Sequence, residues 1–225
     1  MPNVISIFSG GGGIDCGFQR AGYNICLSTD NWRTACDTLV QNHVGRLVVC
    51  EDIRNVDYAA ELGKMGLTFS DIDVLVGGPP CPAYSKSRFY RTEYKRALDD
   101  KNSFTLYEYF RALDEIRPKV FLFENVFGFV YKPHQPAFDL LKEKAEECGY
   151  DIAIKVVNTA DYGVPQTRER FLCVGIKRGK GKPFVFPDET HYNPAGERRQ
   201  NHTRVCTAAG RQIFFCVLNP CKDGR

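Results

Sequence analysis

The chain has 225 residues, of which 43% are apolar, and this length suffices for one α/β domain with a buried core. Its formal net charge of +3 is too small to indicate a nucleic-acid partner, so such a partner has to be inferred from local clusters of charge. The N-terminus lacks a basic segment followed by an apolar one, and no stretch approaches about eighteen apolar residues. These features predict a protein that is neither secreted nor membrane-spanning.

The ten cysteines include no Cys-x-x-Cys pair. This spacing argues against a zinc site and against a disulfide framework. We therefore expect no metal and a reducing, cytoplasmic environment.

A glycine-rich loop follows the first predicted strand, residues 4–9. It contains Gly10, Gly12 and Gly13, and it departs from the dinucleotide pattern G-x-G-x-x-G because Asp15 stands where the third glycine would be. Glycines permit tight turns and a close approach of the backbone to a ligand. The loop is therefore a candidate cofactor site.

Acidic residues follow the second and third predicted strands. Asp30 comes directly after the strand at residues 25–29, and Asp52 comes shortly after the strand at residues 47–50. An acid at the first position can bind ribose hydroxyls, although Asp30 could equally cap the helix that follows. Because acids disfavour a pyrophosphate, the pattern favours S-adenosylmethionine over a dinucleotide.

The fourth predicted strand, residues 73–76, leads through two glycines and two prolines to Cys81. Ligands of open α/β sheets bind beyond the carboxyl ends of such strands. Pro79 and Pro80 fix the backbone, so the loop holds the thiol in one place. An inert buried cysteine is the alternative, but the rigid loop favours a reactive one.

A basic and aromatic segment follows Cys81 over residues 82–96. It contains Ser85, Lys86 and Arg88, interleaved with tyrosine and phenylalanine. Such a mixture suits phosphate contacts and base stacking, whereas a solvated surface loop is the alternative. The position of the segment beside Cys81 favours contacts with a nucleic acid.

The fifth predicted strand, residues 120–123, ends at Glu124. Phe123 and Val126 flank this carboxylate, so we expect it to be desolvated and to have a raised pKa that lets it donate a proton. It should face the same cleft as Cys81.

Two further strands are predicted at residues 152–157 and 171–176, as an antiparallel pair. Between them, the alternation of Gln166, Arg168 and Arg170 predicts that these three side chains share one face. Surface salt bridges are the alternative explanation for this run.

Short segments near the ends of the predicted strands form one ordered series: Phe8-Ser9-Gly10-Gly11-Gly12-Gly13, Asp30, Asp52-Ile53, Gly78-Pro79-Pro80-Cys81, Asp99-Asp100-Lys101-Asn102-Ser103, Glu124-Asn125-Val126 and Gln166-Thr167-Arg168-Glu169-Arg170. In this order, over residues 4–187, they resemble the cytosine-5 DNA methyltransferase family. There are departures, because Pro82 replaces a usual glutamine and Trp32 lies one place beyond the usual adenine-stacking position.

The resemblance implies a Rossmann-like S-adenosylmethionine-dependent methyltransferase fold, with a mostly parallel sheet and an antiparallel strand at one edge. Residues 1–187 would form the cofactor-binding and catalytic domain, and residues 188–225 an atypical tail where the target-recognition domain would begin. The implied cofactor-binding residues are Phe8, Gly10, Gly12, Gly13, Asp30, Asp52, Ile53 and Pro80.

The family's chemistry implies that Cys81 adds to C6 of cytosine and so activates C5 for methylation. Glu124 would hold N3 and the exocyclic amine, and Arg170, helped by Arg168, would bind O2. The substrate would be double-stranded DNA with a flipped cytosine. The implied DNA-contacting residues are Ser85, Lys86, Arg88, Asn125 and Gln166.

Family members normally continue into a target-recognition domain and two further motifs that this sequence does not contain. Three interpretations of the chain remain open: half of a split restriction-modification methylase, a truncated form, or a non-catalytic subunit that binds the cofactor or DNA. A tRNA cytosine-5 methyltransferase is the other enzymatic alternative. We expect a second polypeptide to supply the recognition domain, and a location in the bacterial cytoplasm or nucleoid.

Overall fold

The computed structural model describes residues 1–42, 44–80 and 104–191. Cys81, Ser85, Lys86 and Arg88 lie outside the described residues, as does most of the tail predicted from residue 188. The strands are β1 (Asn3–Ile7), β2 (Asn24–Asp30), β3 (Leu47–Cys50), β4 (Val74–Gly77), β5 (Val120–Val126), β6 (Tyr150–Asn158) and β7 (Glu169–Lys177).

The described strands form one seven-stranded sheet with the order β3-β2-β1-β4-β5-β7-β6. Strands β1 to β5 pair in parallel, whereas β7 is antiparallel to both β5 and β6. The predicted α/β class and the antiparallel strand toward one edge are therefore confirmed. The antiparallel strand is β7, which lies between β5 and the edge strand β6.

Helices connect the strands and cover both faces of the sheet. The helices in the described ranges are α1 (Gly13–Arg20), α2 (Arg33–Gln41), α3 (Tyr58–Gly63), α4 (Phe104–Ile116) and α5 (Gln135–Glu147). One apolar cluster joins the sheet to α3, α4 and α5, and a second joins the other face to Phe18 of α1 and to Phe184 and Phe186. None of these helices combines the length and apolarity needed to cross a membrane.

Strand β5 is longer than predicted, because its pairing with β7 continues past residue 123. Glu124 faces Leu172 in the register, and Val126 faces Arg170. Glu124 therefore lies within β5 and not beyond its end, so the hydrogen-bonded pairing with β7 fixes the position of its backbone.

The prediction that Gln166, Arg168 and Arg170 share one face assumes that all three lie in a strand. This assumption is wrong, because β7 begins only at Glu169. Gln166 and Arg168 precede the strand and are exposed, and the Gln166 amide donates to the Val164 carbonyl in a tight turn. A shared face set by strand geometry thus does not apply to them. The turn geometry could not be inferred from charge spacing alone.

A buried carboxylate joins α1 to the first two strands beneath the glycine loop. Asp15 is wholly buried and accepts hydrogen bonds from the Ser6 hydroxyl at 2.5 Å and the Ser28 hydroxyl at 2.8 Å. Burial raises the pKa of Asp15, against the opposing effect of the two serines. Asp15 therefore stands in the third-glycine position of the dinucleotide pattern for a structural reason.

We expect Asp15→Ala to lower the free energy of unfolding by about 2–4 kcal/mol, because two buried hydroxyls would lose their acceptor. Urea denaturation measures this. In the wild type, the raised pKa means that the native state binds more protons than the unfolded state between about pH 4 and that raised pKa, so stability should fall as pH rises across this window. Asp15→Asn, which cannot ionise, should lack this fall; an identical pH profile would contradict the assignment.

Candidate active site

Loops at the carboxyl ends of the parallel strands surround a cavity of about 260 Å³. The strands run in one direction, so their last residues meet at one edge of the sheet. Five of the eight predicted cofactor-binding residues line this cavity: Phe8, Asp30, Asp52, Ile53 and Pro80. The other lining residues are Thr29, Asn31, Trp32, Glu51, Gly78, Phe104 and Thr105.

The Asp30 carboxylate connects the glycine loop to the start of α2. Its Oδ2 accepts from the Gly10 amide at 2.8 Å and its Oδ1 from the Trp32 amide at 2.9 Å. The N-cap residue of α2 is Trp32, so the alternative that Asp30 caps this helix is wrong in the strict sense. Each carboxylate oxygen has a lone pair left and can accept a further hydrogen bond from a ligand.

We expect Asp30→Ala to weaken the binding of S-adenosylhomocysteine by about ten- to a hundredfold, because a charged acceptor is lost. Isothermal titration calorimetry measures this change. Asp30→Asn keeps one acceptor oxygen and should give a smaller loss. Unchanged affinity in Asp30→Ala would show that this carboxylate does not contact the ligand.

Two glycines of the loop adopt backbone conformations that other residues rarely adopt. Gly12 has φ 86°, and a Cβ there would lie 2.7 Å from Leu39 Cδ2. Gly10 also has a positive φ of 54°, which orients its amide toward Asp30. Gly13 begins α1. These three glycines shape the loop, and none of them lines the cavity.

An arginine engages the acid at the far side of the cavity. Asp52 accepts from Arg54 Nε at 2.9 Å and from Arg54 Nη2 at 2.6 Å, which holds the pKa of that carboxyl down at about 2. The neighbouring Ile53 carbonyl accepts from Arg111 Nη2 at 2.7 Å. In the turn that is predicted to contact adenine, the Asp52 carboxyl is therefore ionised, and Arg111 connects the backbone of the turn to α4.

The two prolines before Cys81 are held from both sides. The buried Asn125 amide donates to the Pro79 carbonyl at 3.4 Å, and the Thr105 hydroxyl donates to the Pro80 carbonyl at 3.2 Å. Asn125 is only 3% exposed, so in this structure its partner is the loop and its contact with DNA stays a prediction. The segment that leads to Cys81 is thus anchored to β5 and α4.

Glu124 and Arg170 form a half-buried ion pair. Arg170 Nε lies 2.8 Å from Glu124 Oε1, and the two side chains are 20% and 24% exposed. Burial raises the pKa of the Glu124 carboxyl, against the opposing effects of Arg170 and Arg168. The direction of this pKa shift agrees with the expectation from the sequence. Arg168 thus acts on Glu124 electrostatically although it precedes β7.

Gly78 gives Glu124 its space. A Cβ on Gly78 would lie 2.7 Å from Glu124 Oε2, which is closer than side chains tolerate. The segment before Cys81 and the carboxylate therefore pack directly against each other.

We expect Gly78→Ala to lower the rate of the methyl transfer that the sequence implies by about ten- to a hundredfold, because the Glu124 carboxylate would have to shift and this shift would disturb its pair with Arg170. Single-turnover transfer of a tritiated methyl group measures the rate. Gly63→Ala is the matched control, since a Cβ at Gly63 meets nothing within 4 Å. Equal rates in both variants would show that the contact with Glu124 is not needed.

Sequence reasoning missed several cavity-lining residues. Phe104 and Thr105 begin α4, where apolar and β-branched residues predict core packing, and Thr29 is a β-branched strand residue that sequence patterns assign to the core. Gln166 is exposed, and its predicted substrate contact stays a prediction, as do the contacts of the residues outside the described ranges.

The lining residues fit a nucleoside without phosphates. The carboxylates of Asp30 and Asp52 can accept from hydroxyl and amine groups, and the exposed ring of Trp32 can stack on a base. The described lining includes no lysine or arginine that would favour a pyrophosphate. These acceptors and this aromatic ring therefore fit S-adenosylmethionine.

The strand order of the sheet, with β7 antiparallel to its neighbours, is that of the S-adenosylmethionine-dependent methyltransferases. The family model for "C-5 cytosine-specific DNA methylase" matches residues 2–208, and the chain belongs to that family.

Curated relatives and a solved structure agree with this assignment. The Type II methyltransferase M.SacI of Streptomyces achromogenes is 38% identical over 215 residues, which cover 90% of this chain and 54% of that protein. M.AquIA of Picosynechococcus is 33% identical over 205 residues, which cover 88% of this chain and 79% of that protein. A crystal structure described as a prophage-encoded DNA modification methyltransferase (E. coli) has a TM-score of 0.65 at 27% identity, covering 79% of this chain and 47% of that one. The chain spans about half the length of most of the curated relatives it matches.

Proposed function

We propose that the protein transfers a methyl group from S-adenosylmethionine to C5 of cytosine in DNA, through a covalent adduct of Cys81, as part of a type II restriction-modification system. The observation that carries the proposal is the close packing of the ion-paired Glu124 against Gly78, which lines the cavity. It brings a carboxyl with a raised pKa against the segment that ends in Cys81. Family membership and the type II relatives support the choice of substrate.

In the proposed reaction, the Cys81 thiolate forms a bond to C6 and makes C5 nucleophilic. Glu124 donates a proton toward N3 and accepts a hydrogen bond from the exocyclic amine, which balances the charge that develops on the ring. Arg170, with Arg168 nearby, stabilises O2. S-adenosylmethionine, when bound, supplies the methyl group from its sulfonium. The C5 proton then passes to water, and the electrons of the C5–H bond re-form the C5–C6 double bond while the Cys81 sulfur leaves C6 as a thiolate. N3 returns its proton to Glu124, which restores the enzyme.

The cavity residues hold the cofactor in this proposal. Asp30 would accept from the ribose hydroxyls, Asp52 and Ile53 would contact the adenine, and Phe8 and Pro80 would pack against the nucleoside; all five residues line the cavity. Because Asp52 is held ionised by Arg54, it can accept from an amine at any physiological pH.

The DNA would be bound with the target cytosine flipped out of the duplex, because C5 and C6 cannot be reached inside the stack. Ser85, Lys86, Arg88, Asn125 and Gln166 would contact the DNA. Phosphate contacts of this kind position the duplex and do not select a sequence.

Sequence selection would come from a second polypeptide that carries the recognition domain. M.AquIA supports this part of the proposal, because one alignment covers 88% of this chain and 79% of that relative, so relatives of comparable length exist. We place the protein in the bacterial cytoplasm or nucleoid, where its DNA substrate lies.

A tritiated-methyl transfer assay with the purified chain tests the proposal. Wild-type protein is incubated with labelled S-adenosylmethionine and either mixed-sequence duplex DNA or tRNA, and nucleosides are separated after digestion. Label in 5-methylcytosine from DNA supports the proposal, and label from tRNA alone supports the tRNA alternative. Binding of DNA and cofactor without any transfer, even when the second polypeptide is present, supports a binding subunit. Efficient, site-specific methylation by this chain alone would contradict the need for a second polypeptide.

A further inference from the structure

An arginine outside the cavity contacts two of the residues that line it. Arg54 does not line the cavity, and its side chain is 59% exposed. Its guanidinium binds the Asp52 carboxylate, and its Cζ lies 4.7 Å from the centroid of the Phe104 ring. Asp52 belongs to the turn after β3, and Phe104 is the first residue of α4. Arg54 therefore joins two walls of the cavity that come from different parts of the chain.

Arg54 fixes the orientation of the Asp52 carboxylate through three hydrogen bonds. Asp52 Oδ1 accepts from the Arg54 amide at 3.0 Å and from Arg54 Nε at 2.9 Å, and Asp52 Oδ2 accepts from Arg54 Nη2 at 2.6 Å. A planar guanidinium fork holds a carboxylate in one plane, whereas the ammonium group of a lysine does not. Because a carboxylate has about four acceptor positions, these bonds leave one of them, on Oδ2. A ligand in the cavity thus meets a single acceptor with a fixed direction.

The same guanidinium constrains the Phe104 ring. A guanidinium within about 6 Å of a ring centroid is attracted to the face of the ring, and the pair of Arg54 and Phe104 meets this condition. An aromatic ring in a cavity can pack against a purine base. Arg54 therefore fixes a hydrogen-bond acceptor and an aromatic surface relative to each other.

The backbone of the turn after β3 has an anchor that does not involve the side chain of Arg54. The Ile53 carbonyl accepts from Arg111 Nη2 at 2.7 Å, which connects the turn to α4. Loss of the Arg54 guanidinium should therefore release the Asp52 carboxylate and the Phe104 ring while the turn stays in place. This property makes a positioning role distinguishable from a structural one.

We propose that Arg54 is a positioning residue that orients Asp52 and Phe104 and thereby makes the cavity select adenine over a purine with a carbonyl in place of the exocyclic amine. The ionised Asp52 carboxylate only accepts hydrogen bonds, so it binds the amine and repels the carbonyl. A carboxylate that could rotate away from the carbonyl would discriminate less. The inference rests on the proposed binding of adenine by Asp52 and adds a residue that acts through it.

The test measures the affinities for S-adenosylhomocysteine and for S-inosylhomocysteine, which carries a carbonyl in place of the adenine amine, by calorimetry. We expect the wild type to bind the adenine ligand about ten- to a hundredfold more tightly. Arg54→Met, which lacks the guanidinium, should lower this ratio by about three- to tenfold, and Arg54→Lys, which keeps the charge without the fork, should lower it less.

Two controls separate positioning from other effects. Arg178→Met removes another arginine that pairs with two carboxylates, those of Glu146 and Asp151, and it should leave the affinity ratio within about twofold of wild type. In an Asp52→Ala background, Arg54→Met should change the ratio by less than about twofold, because its effect passes through Asp52. The thermal midpoint of ligand-free Arg54→Met should stay within about 2 °C of wild type.

Several results would overturn the inference. A wild-type affinity ratio in Arg54→Met would show that the guanidinium does not govern selection, and a full effect of this variant in the Asp52→Ala background would show that it does not act through Asp52. A fall of the thermal midpoint with an unchanged ratio would show a structural role. If the wild type binds both ligands equally, the inference fails although cofactor binding stands, whereas a wild type that binds neither ligand contradicts the proposed function itself.

Discussion

Replacement of Cys81 by serine is expected to abolish the covalent adduct with DNA that contains 5-fluorocytosine and to lower methyl transfer by at least about a thousandfold. A serine hydroxyl ionises far less readily than a thiol and is a weak nucleophile without a base beside it. The adduct is detected by a denaturing gel shift in the presence of S-adenosylmethionine. Binding of S-adenosylhomocysteine should stay close to that of the wild type.

The residues before Cys81 agree with this expectation. The carbonyls of Pro79 and Pro80 are held by Asn125 and Thr105, so the described end of this segment has a fixed position. Cys16→Ser is a suitable control, because Cys16 is a partly exposed thiol on α1 that the proposal does not use. A denaturant-resistant adduct that persists in Cys81→Ser and disappears in Cys16→Ser would refute the assignment.

The sequence was sufficient to predict the sheet, because its strands are short apolar runs that end in glycine or acid. The third strand was predicted at its observed bounds, Leu47–Cys50. The lengths of β5 and β7 were not predictable, since Glu124 and Asn125 become strand residues only through pairing with Leu172 and Phe171. Pairing across the sheet is a tertiary effect that leaves no local pattern.

Helix α3 was missed for a different reason. It has only six residues, too few to show a helical repeat, and its N-terminus depends on the Asp57 carboxylate accepting from the Ala60 amide. Short helices of this kind are stabilised by their surroundings more than by their own sequence.

The residues of the candidate site were predictable where an acidic side chain lies at or near the end of a predicted strand. Asp30 and Asp52 line the cavity as expected, and Glu124 has the expected desolvated environment. Thr29 was not predictable as a cavity residue, because a threonine in a strand is compatible with ordinary core packing.

Replacement of Glu124 by glutamine is expected to lower the rate of methyl transfer by about a hundred- to ten-thousandfold, because the amide cannot donate a proton to the cytosine ring. The glutamine oxygen can still accept from Arg170 Nε, so the fold and the binding of S-adenosylhomocysteine should remain close to wild type. The rate is measured under single-turnover conditions with tritiated S-adenosylmethionine. Glu143→Gln, which neutralises an exposed carboxylate on α5, is the matched control and should keep full activity.

The pH dependence of the Glu124→Gln effect separates proton donation from simple charge stabilisation. Burial raises the pKa of Glu124, so the protonated fraction exceeds that of a free glutamate and declines as pH rises through the raised pKa. The ratio of wild-type to Glu124→Gln rates should therefore be largest at low pH and shrink as pH rises, since both enzymes share the ionisation of Cys81. A ratio that grows with pH would show that the ionised carboxylate is the active form, and a variant within about threefold of wild type at every pH would remove Glu124 from the chemistry.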